Sequence, residues 1–165
     1  MSWNLKEVED VALGSLRERF GDRLEAVVLF GSYAREEAVQ LSDVDFFIVV
    51  RGLPTDPVER RLHVYESLTP VIRRFKVDVN VIEMDEREIG KSLTPLLVNI
   101  AHDGLILFDR NGRITSFFER LRGAVKKAGL VRFRTNDGKY GWRPARQLQR
   151  GEPLVVKVEG SGFEP

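Results

Sequence analysis

Apolar residues near the start of the chain recur at intervals of three and four. This spacing places them on one face of a helix, so residues 5–20 are predicted to form an amphipathic helix. Ser2 or Asn4 can cap the start of this helix, and Gly21 is suited to end it. The apolar positions of the face are Leu5, Val8, Ala12, Leu16 and Phe20.

Three stretches further along have the patterns of β-strands. The runs Leu24–Phe30 and Val44–Val50 are continuously apolar, as expected for buried strands, whereas residues 76–82 alternate between apolar and polar side chains. Between the last two strands, a helical spacing of apolar residues predicts a second long helix. Its apolar positions are Val58, Leu62, Tyr65, Leu68 and Ile72.

The remainder of the chain adds a predicted helix at 93–101, a short strand at 105–108 and a basic helix at 114–128. Residues 131–142 have the form of a β-hairpin, because an Asp-Gly pair separates two strand-like runs. This order of elements predicts an α/β (α+β) fold. A small mixed β-sheet is flanked by helices, and a basic helix and a hairpin follow at the C-terminal end.

Composition narrows the class of protein. A length of 165 residues suits one compact domain, and 42% hydrophobic with 31% charged residues is typical of a soluble globular protein. The absence of cysteine excludes disulfides and thiolate metal ligands. No apolar run approaches the ~20 residues that span a bilayer, and the polar start lacks a signal-peptide core. We therefore expect a cytoplasmic protein without membrane association.

Charge divides the chain into two parts, although the net charge is only +1. Residues 1–109 carry 13 Lys and Arg against 20 Asp and Glu, whereas residues 110–150 carry 12 against 2. We therefore expect a main domain at 1–109 and a basic C-terminal extension at 110–165 that packs on it. The extension is either a solvated helix face or a surface for an anionic partner.

A glycine-serine pair, Gly31-Ser32, directly follows the first predicted strand. Glycine lets the backbone approach a phosphate closely, and a helix starting here would offer unpaired N–H groups and the positive end of its dipole. The Ser32 hydroxyl adds a hydrogen-bond donor. The pair is thus a candidate phosphate-binding turn, although Gly-Ser pairs are also common in ordinary turns.

Three aspartates are candidates for one metal centre. Asp43 and Asp45 flank Val44 at the start of the second strand, so the period of two puts both carboxylates on one face. Such like charges repel unless a cation lies between them, and Mg²⁺ prefers carboxylate and phosphate oxygens. Asp78 in the third strand would supply a third carboxylate. The alternatives are a turn cap, an exposed strand start and a water-facing edge strand.

Together these features resemble the DNA polymerase β-like nucleotidyltransferase superfamily. Its pattern is an apolar residue, Gly-Ser, about ten residues, Asp-apolar-Asp on a strand, and a third Asp on a later strand. The segment GSYAREEAVQLSDVDFFIVV looks most like the minimal nucleotidyltransferases of archaea and bacteria, several of which are paired with HEPN-type toxins. The likeness covers residues 10–108. One departure is Glu36, where many minimal members have glycine. The residues carrying the likeness are Phe30-Gly31-Ser32, Asp43-Val44-Asp45 and Asp78.

The resemblance implies a transferase that moves a nucleoside monophosphate from a nucleoside triphosphate, commonly ATP, to a hydroxyl acceptor. Asp43, Asp45 and Asp78 would be the catalytic residues and would bind Mg²⁺ or Mn²⁺, with Asp78 as ligand, base or both. Arg35 either reaches a phosphate or is an exposed arginine. The nucleotide-binding residues would be Gly31, Ser32, Arg35 and Ser42.

The sequence leaves the acceptor open. The short chain favours a protein acceptor, such as a hydroxyl of a HEPN-type toxin, although homodimerisation would also build a closed pocket. One alternative is nucleic-acid binding or RNA-end modification, because the extension interleaves basic and aromatic residues. Another is a catalytically weak regulatory protein. The interleaved residues are Arg132, Phe133, Arg134, Lys139, Tyr140, Trp142, Arg143 and Arg146.

Overall fold

The computed structural model describes residues 3–160, beginning with a capped helix. Helix α1 (Leu5–Phe20) has the predicted bounds. The Asn4 side chain accepts a hydrogen bond from the Glu7 N–H at 2.9 Å, and the Glu7 carboxylate accepts one from the Asn4 N–H at 3.0 Å. This reciprocal capping box fixes the start of the helix at Asn4. Ser2, the alternative cap, lies outside the described residues.

A mixed four-stranded sheet with the order β3-β2-β1-β4 forms the centre of the molecule. Strands β1 (Leu24–Phe30) and β2 (Val44–Val50) pair antiparallel. Strand β3 (Val79–Asp85) lies parallel to β2, and β4 (Leu105–Asp109) lies antiparallel to β1. The predicted mixed sheet flanked by helices is confirmed.

Helices cover both faces of the sheet. Successive residues of β1 and β2 alternate between two hydrophobic cores, which explains why both strands read as continuous apolar runs. The helices that follow α1 are α2 (Gly31–Ala34), α3 (Pro57–Ser67), α4 (Thr69–Phe75), α5 (Pro95–Asp103) and α6 (Arg113–Lys127). Helices α1, α3 and α4 pack on one face, and α5 and α6 pack on the other. In the described part of the chain, no helix combines the length and apolarity needed to cross a membrane.

The predicted second long helix is two helices, and the third strand starts later than predicted. Pro70 in the first turn of α4 lacks an N–H, so α3 ends before it and a new helix begins. Lys76 then adopts a left-handed conformation (φ 54°) as the C-cap of α4, which occupies the predicted strand start. As a result, Asp78 directly precedes β3 instead of lying within it.

The predicted hairpin consists of β5 (Leu130–Arg134) and β6 (Tyr140–Pro144). It packs on the α5 and α6 side of the molecule, where Leu130 and Trp142 contact the second core. The indole N–H of Trp142 donates to Asn99 Oδ1 at 2.9 Å, and the Asn99 amide donates to the Tyr140 carbonyl at 3.1 Å. The hairpin is therefore attached to α5 by both apolar contacts and hydrogen bonds.

Candidate active site

Asp43 and Asp45 converge at the start of β2. The side-chain amide of Asn80 donates to Asp43 Oδ2 at 2.9 Å and to Asp45 Oδ1 at 3.1 Å. Two carboxylates that contact one nitrogen face the same point in space, as the period of two along the strand predicts. Asn80 itself lies opposite Asp45 in the parallel β2-β3 ladder. Sequence reasoning did not select Asn80, although its position two residues after Asp78 was the available signal.

The environment of Asp45 disfavours its negative charge. Burial and the adjacent negative charge of Asp43 raise the pKa of Asp45, against the hydrogen bond from Asn80 and the positive charge of Arg35. A divalent cation would offset this repulsion, and the oxygen donors are those that Mg²⁺ and Mn²⁺ prefer. Within residues 3–160, no three acidic or histidine side chains converge closely enough to form a metal site by themselves. The aspartate pair therefore fits a cation that takes further ligands from phosphate or water.

Asp78 is exposed and lies directly before β3, at the end of the sheet where β2 begins. Its carbonyl accepts a hydrogen bond from the Val44 N–H at 2.9 Å, which continues the parallel ladder by one residue. Asp43 precedes Val44 and Asp78 precedes Val79, and these two valines pair in the parallel ladder. The two aspartates therefore occupy equivalent positions on neighbouring strands. The structure brings Asp78 to the same end of the sheet, but its carboxylate does not join Asp43 and Asp45 in a three-carboxylate group within residues 3–160. Its role as a metal ligand or base stays a prediction.

Gly31 is required by the position of Asp45. Its φ of +75° favours glycine, and a Cβ added here would lie 2.8 Å from Asp45 Cγ and closer still to Oδ2. Phe30, the last residue of β1, pairs with Asp45, so the chain turns directly beside this carboxylate. A glycine at this turn lets the Asp45 carboxylate lie against the backbone.

The two serines of the motif occupy different structural positions. Ser32 is in the first turn of α2, and its carbonyl accepts a hydrogen bond from the Glu37 N–H at 2.9 Å. The Ser42 hydroxyl accepts from the Val39 N–H at 2.9 Å and so closes the turn that leads into Asp43. Ser42 therefore helps to position Asp43 and retains its hydroxyl proton for a ligand. The nucleotide contacts of both serines stay predictions.

Arg35 is a partly buried arginine with acidic partners. Its Nε donates to Glu37 Oε2 at 2.8 Å, and its Nη1 lies 3.7 Å from Asp103 Oδ2. The guanidinium also lies over the Tyr140 ring, 4.9 Å from the ring centre. The alternative of a solvent-exposed arginine is therefore wrong, since only 23% of the side chain is exposed. A phosphate contact by Arg35 stays a prediction.

The site is joined to the hairpin by a cluster that the sequence did not reveal. The Tyr140 hydroxyl donates to Glu37 Oε1 at 2.7 Å, and Arg132 lies over the Tyr140 ring at 3.9 Å. Arg132 also donates two hydrogen bonds to the Asp103 carboxylate. Several basic residues of the extension are thus paired within the chain. These pairs are Arg132 with Asp103, Arg134 with Glu37, Lys139 with Asp137, and Arg146 with Glu152.

Glu36 occupies a backbone conformation that favours glycine. Its φ is 59°, in the left-handed region, and the residue is exposed. Glycine, which the resemblance to minimal nucleotidyltransferases leads one to expect here, would adopt this conformation without strain. The replacement therefore adds backbone strain and a carboxylate at the surface.

A cavity of about 440 Å³ opens beside Gly31. One wall is the turn at Gly31, a second is the start of α5 near Leu96, and the third is the tip of the hairpin at Lys139. This volume lies in the range of small-molecule sites.

Comparison with known proteins identifies the class. Residues 10–108 match the family model described as a nucleotidyltransferase domain. The "Putative protein adenylyltransferase MJ1305" of Methanocaldococcus jannaschii is 31% identical over 124 residues, which cover 74% of this chain and 84% of the relative. A second protein of that organism, "Putative protein adenylyltransferase MJ0604", is 25% identical over 97 residues, or 58% of this chain and 90% of the relative.

Solved structures share the fold at low sequence identity. A toxin-antitoxin crystal structure with AMP-PNP aligns with a TM-score of 0.53 at 18% identity, over 72% of this chain and 87% of that one. The spectinomycin adenyltransferase AAD(9) from Enterococcus faecialis, with ATP and spectinomycin, aligns with a TM-score of 0.56 at 14% identity, over 76% and 66%. The chain belongs to the nucleotidyltransferase domain family, and it is a nucleotidyltransferase.

Proposed function

We propose that this nucleotidyltransferase transfers AMP from ATP to a hydroxyl group of a partner protein in the cytoplasm, and that the partner is a HEPN-type toxin. The observation that carries the proposal is the convergence of Asp43 and Asp45 beside Gly31. Two half-buried carboxylates at a glycine turn match the requirements of a cation-bound triphosphate.

The residues present fit a divalent cation, and their proposed roles follow from their positions. Asp43 and Asp45 would hold Mg²⁺ or Mn²⁺, and the bound cation would supply charge neutralisation at the triphosphate. Asp78, at the same end of the sheet, would become a further ligand only if its side chain turned towards the pair. Gly31 and Ser32 bind the phosphates of ATP and orient the α-phosphorus for attack.

The transfer breaks one phosphorus–oxygen bond and forms another. The acceptor oxygen bonds to the α-phosphorus, the bond from this phosphorus to the bridging oxygen breaks, and pyrophosphate leaves. We assign the proton of the acceptor hydroxyl to the Asp78 carboxylate, because Asp78 is exposed and lies at the same end of the sheet as the pair.

A protein acceptor is supported by the site and by the relatives. Asp78 and Asn80 are both exposed, so a macromolecule can approach the aspartate pair from the β3 side. Two relatives are named as protein adenylyltransferases, and structures sharing the fold come from toxin-antitoxin complexes. A nucleic-acid acceptor has weaker support, because arginines of the extension such as Arg132 and Arg146 are already paired with carboxylates.

The test is transfer of AMP to the product of a gene encoded beside this one. The protein, Mg²⁺, ATP and that product are incubated, and the product is weighed by intact mass spectrometry. We expect a mass increase of one AMP group with the wild type and none with Asp43→Asn/Asp45→Asn. Asp22→Asn is the matched control, since its side chain is 98% exposed.

An equal gain with the double variant would contradict the proposed role of the pair. A gain on added RNA instead would support the nucleic-acid alternative, and no gain on any acceptor would favour a regulatory protein.

A further inference from the structure

The cavity beside Gly31 lies on the far side of the aspartate pair from β3. In the sheet order β3-β2-β1-β4, the pair on β2 stands between Asn80 on β3 and Gly31 at the end of β1. A triphosphate with its α-phosphate at the aspartates and its next phosphate at Gly31 therefore points towards this cavity. Its opposite wall is the hairpin tip, which lies outside the residues that match the family model.

We infer that this cavity receives the β- and γ-phosphates of the nucleoside triphosphate and that Lys139 at the hairpin tip is their charge contact. The inference rests on the proposed function and adds a residue to its substrate site. The hairpin thereby becomes one wall of the nucleotide site.

Lys139, the charged residue at the hairpin tip, can exchange its present ion-pair partner for a ligand. Lys139 Nζ lies 3.1 Å from Asp137 Oδ2, and the two side chains are 82% and 58% exposed. An exposed ion pair of this kind is weak because water screens it. A polyphosphate carries more negative charge than one carboxylate, so it can replace Asp137 as the partner of Lys139.

The other polar and aromatic groups of the cavity wall already have partners. The Asn99 amide donates to the Tyr140 carbonyl and accepts from Trp142. Arg132 and Arg35 both lie against the Tyr140 ring, at 3.9 and 4.9 Å from its centre. The ring is therefore a poor platform for a nucleobase, and the Lys139 ammonium is the group best placed to bind a ligand. This favours the phosphate end of the nucleotide over its base.

The hairpin tip is held in place before any ligand binds. The Tyr140 hydroxyl donates to Glu37, and the contacts of Asn99 tie β6 to α5. Because the backbone at the tip is already held, binding of a phosphate requires ordering of the Lys139 side chain alone.

Paired variants with opposite expected effects test the inference. Affinity for a non-hydrolysable ATP analogue with Mg²⁺ is measured by calorimetry. We expect Lys139→Ala to weaken binding about fivefold and Asp137→Asn to strengthen it about twofold, as removal of a screened charge implies. Lys127→Ala removes the same charge from a side chain that is 81% exposed and pairs with Glu159 instead, and should leave affinity unchanged. A purely structural role of the tip would weaken binding in both hairpin variants and would overturn the inference.

A second measurement separates the phosphate end from the nucleoside. Tripolyphosphate and adenosine each compete with the analogue for wild type and Lys139→Ala. Loss of competition by tripolyphosphate alone supports the inference, whereas loss by adenosine alone overturns it. If the wild type transfers AMP while Lys139→Ala binds the analogue equally well, this inference fails and the proposed function stands. A wild type that binds no nucleotide overturns both.

Discussion

Asp45 and Asp85 lie at opposite ends of the same pair of strands, and their surroundings shift their pKa values in opposite directions. Asp45 is half-buried, faces Asp43 and has a raised pKa. Asp85, at the end of β3, is 1% exposed and receives four hydrogen bonds from Leu53 and Arg87. Burial would raise the pKa of Asp85, but these hydrogen bonds outweigh it and lower the pKa to about 2.

The difference separates a functional carboxylate from a structural one. The charge of Asp85 is satisfied by the protein, which fixes the turn after β2 at Leu53. The charge of Asp45 is placed beside another negative charge and shares one amide donor with it. A half-buried carboxylate whose negative charge is not balanced by the protein is typical of sites that bind a cation or substrate.

The largest expected effect comes from Gly31→Ala. The new Cβ would displace the Asp45 carboxylate in addition to straining a positive φ, so we expect a loss of about 2–4 kcal/mol in the free energy of unfolding. Gly52→Ala is the matched control, because Gly52 has φ +70° but nothing within 4 Å of an added Cβ, and should lose only about 1 kcal/mol. Chemical denaturation measures both.

A double-variant cycle sharpens this prediction. In an Asp45→Ala background the carboxylate is gone and only the Cβ of residue 45, at 3.2 Å, is left near the added methyl group. Most of the extra cost of Gly31→Ala over Gly52→Ala should therefore disappear, which leaves about 1–2 kcal/mol. An undiminished effect in that background would show that Gly31 serves the turn alone and not the position of Asp45.

Asp85→Asn should destabilise the fold without removing activity. The variant loses the charged acceptor of a buried hydrogen-bond network. We expect this loss to lower the free energy of unfolding by about 2 kcal/mol. The turnover of the remaining folded protein should match the wild type, because Asp85 lies at the opposite strand end from Asp43. Thermal unfolding and the transfer assay check the two parts. Asp85→Asn with wild-type stability, or with transfer lost while the fold is intact, would contradict the comparison.

The smallest effect is the acid dependence of stability. Because the folded pKa of Asp85 is depressed, its contribution is present above the ordinary carboxyl value of 3.8 and is lost as pH falls through about 2. We expect this loss to be about 1–2 kcal/mol, since Arg87 is largely exposed and its charge is screened. The difference in unfolding free energy between the wild type and Asp85→Asn should therefore shrink between pH 4 and pH 2. A constant difference would argue against the lowered pKa.

Hydrophobic periodicity predicted most of the fold. Strands β1 and β2 and helix α1 were predicted with their bounds, because each has a complete pattern of buried positions. The errors lie where local chemistry interrupts a pattern. Pro70 divides the second long helix, and the left-handed Lys76 delays the start of β3.

Part of the candidate site could not be predicted from sequence patterns, because its contacts depend on the tertiary structure. The period of two placed Asp43 and Asp45 together, but the contact with Asn80 depends on the register between β2 and β3. The cluster of Arg35, Glu37 and Tyr140 joins residues 103 positions apart in the chain, through a hydrogen bond that no local pattern reveals. The ion pairs of Arg132 with Asp103 and of Arg134 with Glu37 also join residues that lie far apart in the chain.

The most direct test of the account is binding of Mn²⁺ in the presence of a non-hydrolysable ATP analogue. Free Mn²⁺ is followed by electron paramagnetic resonance during titration of the wild type, Asp43→Asn/Asp45→Asn and Asp85→Asn. We expect the double variant to bind Mn²⁺ at least about tenfold more weakly, which corresponds to about 1.4 kcal/mol, and Asp85→Asn to bind as the wild type does. Equal binding by the double variant, or a loss of binding in folded Asp85→Asn, would contradict the assignment of the Asp43 and Asp45 pair as the metal–nucleotide site.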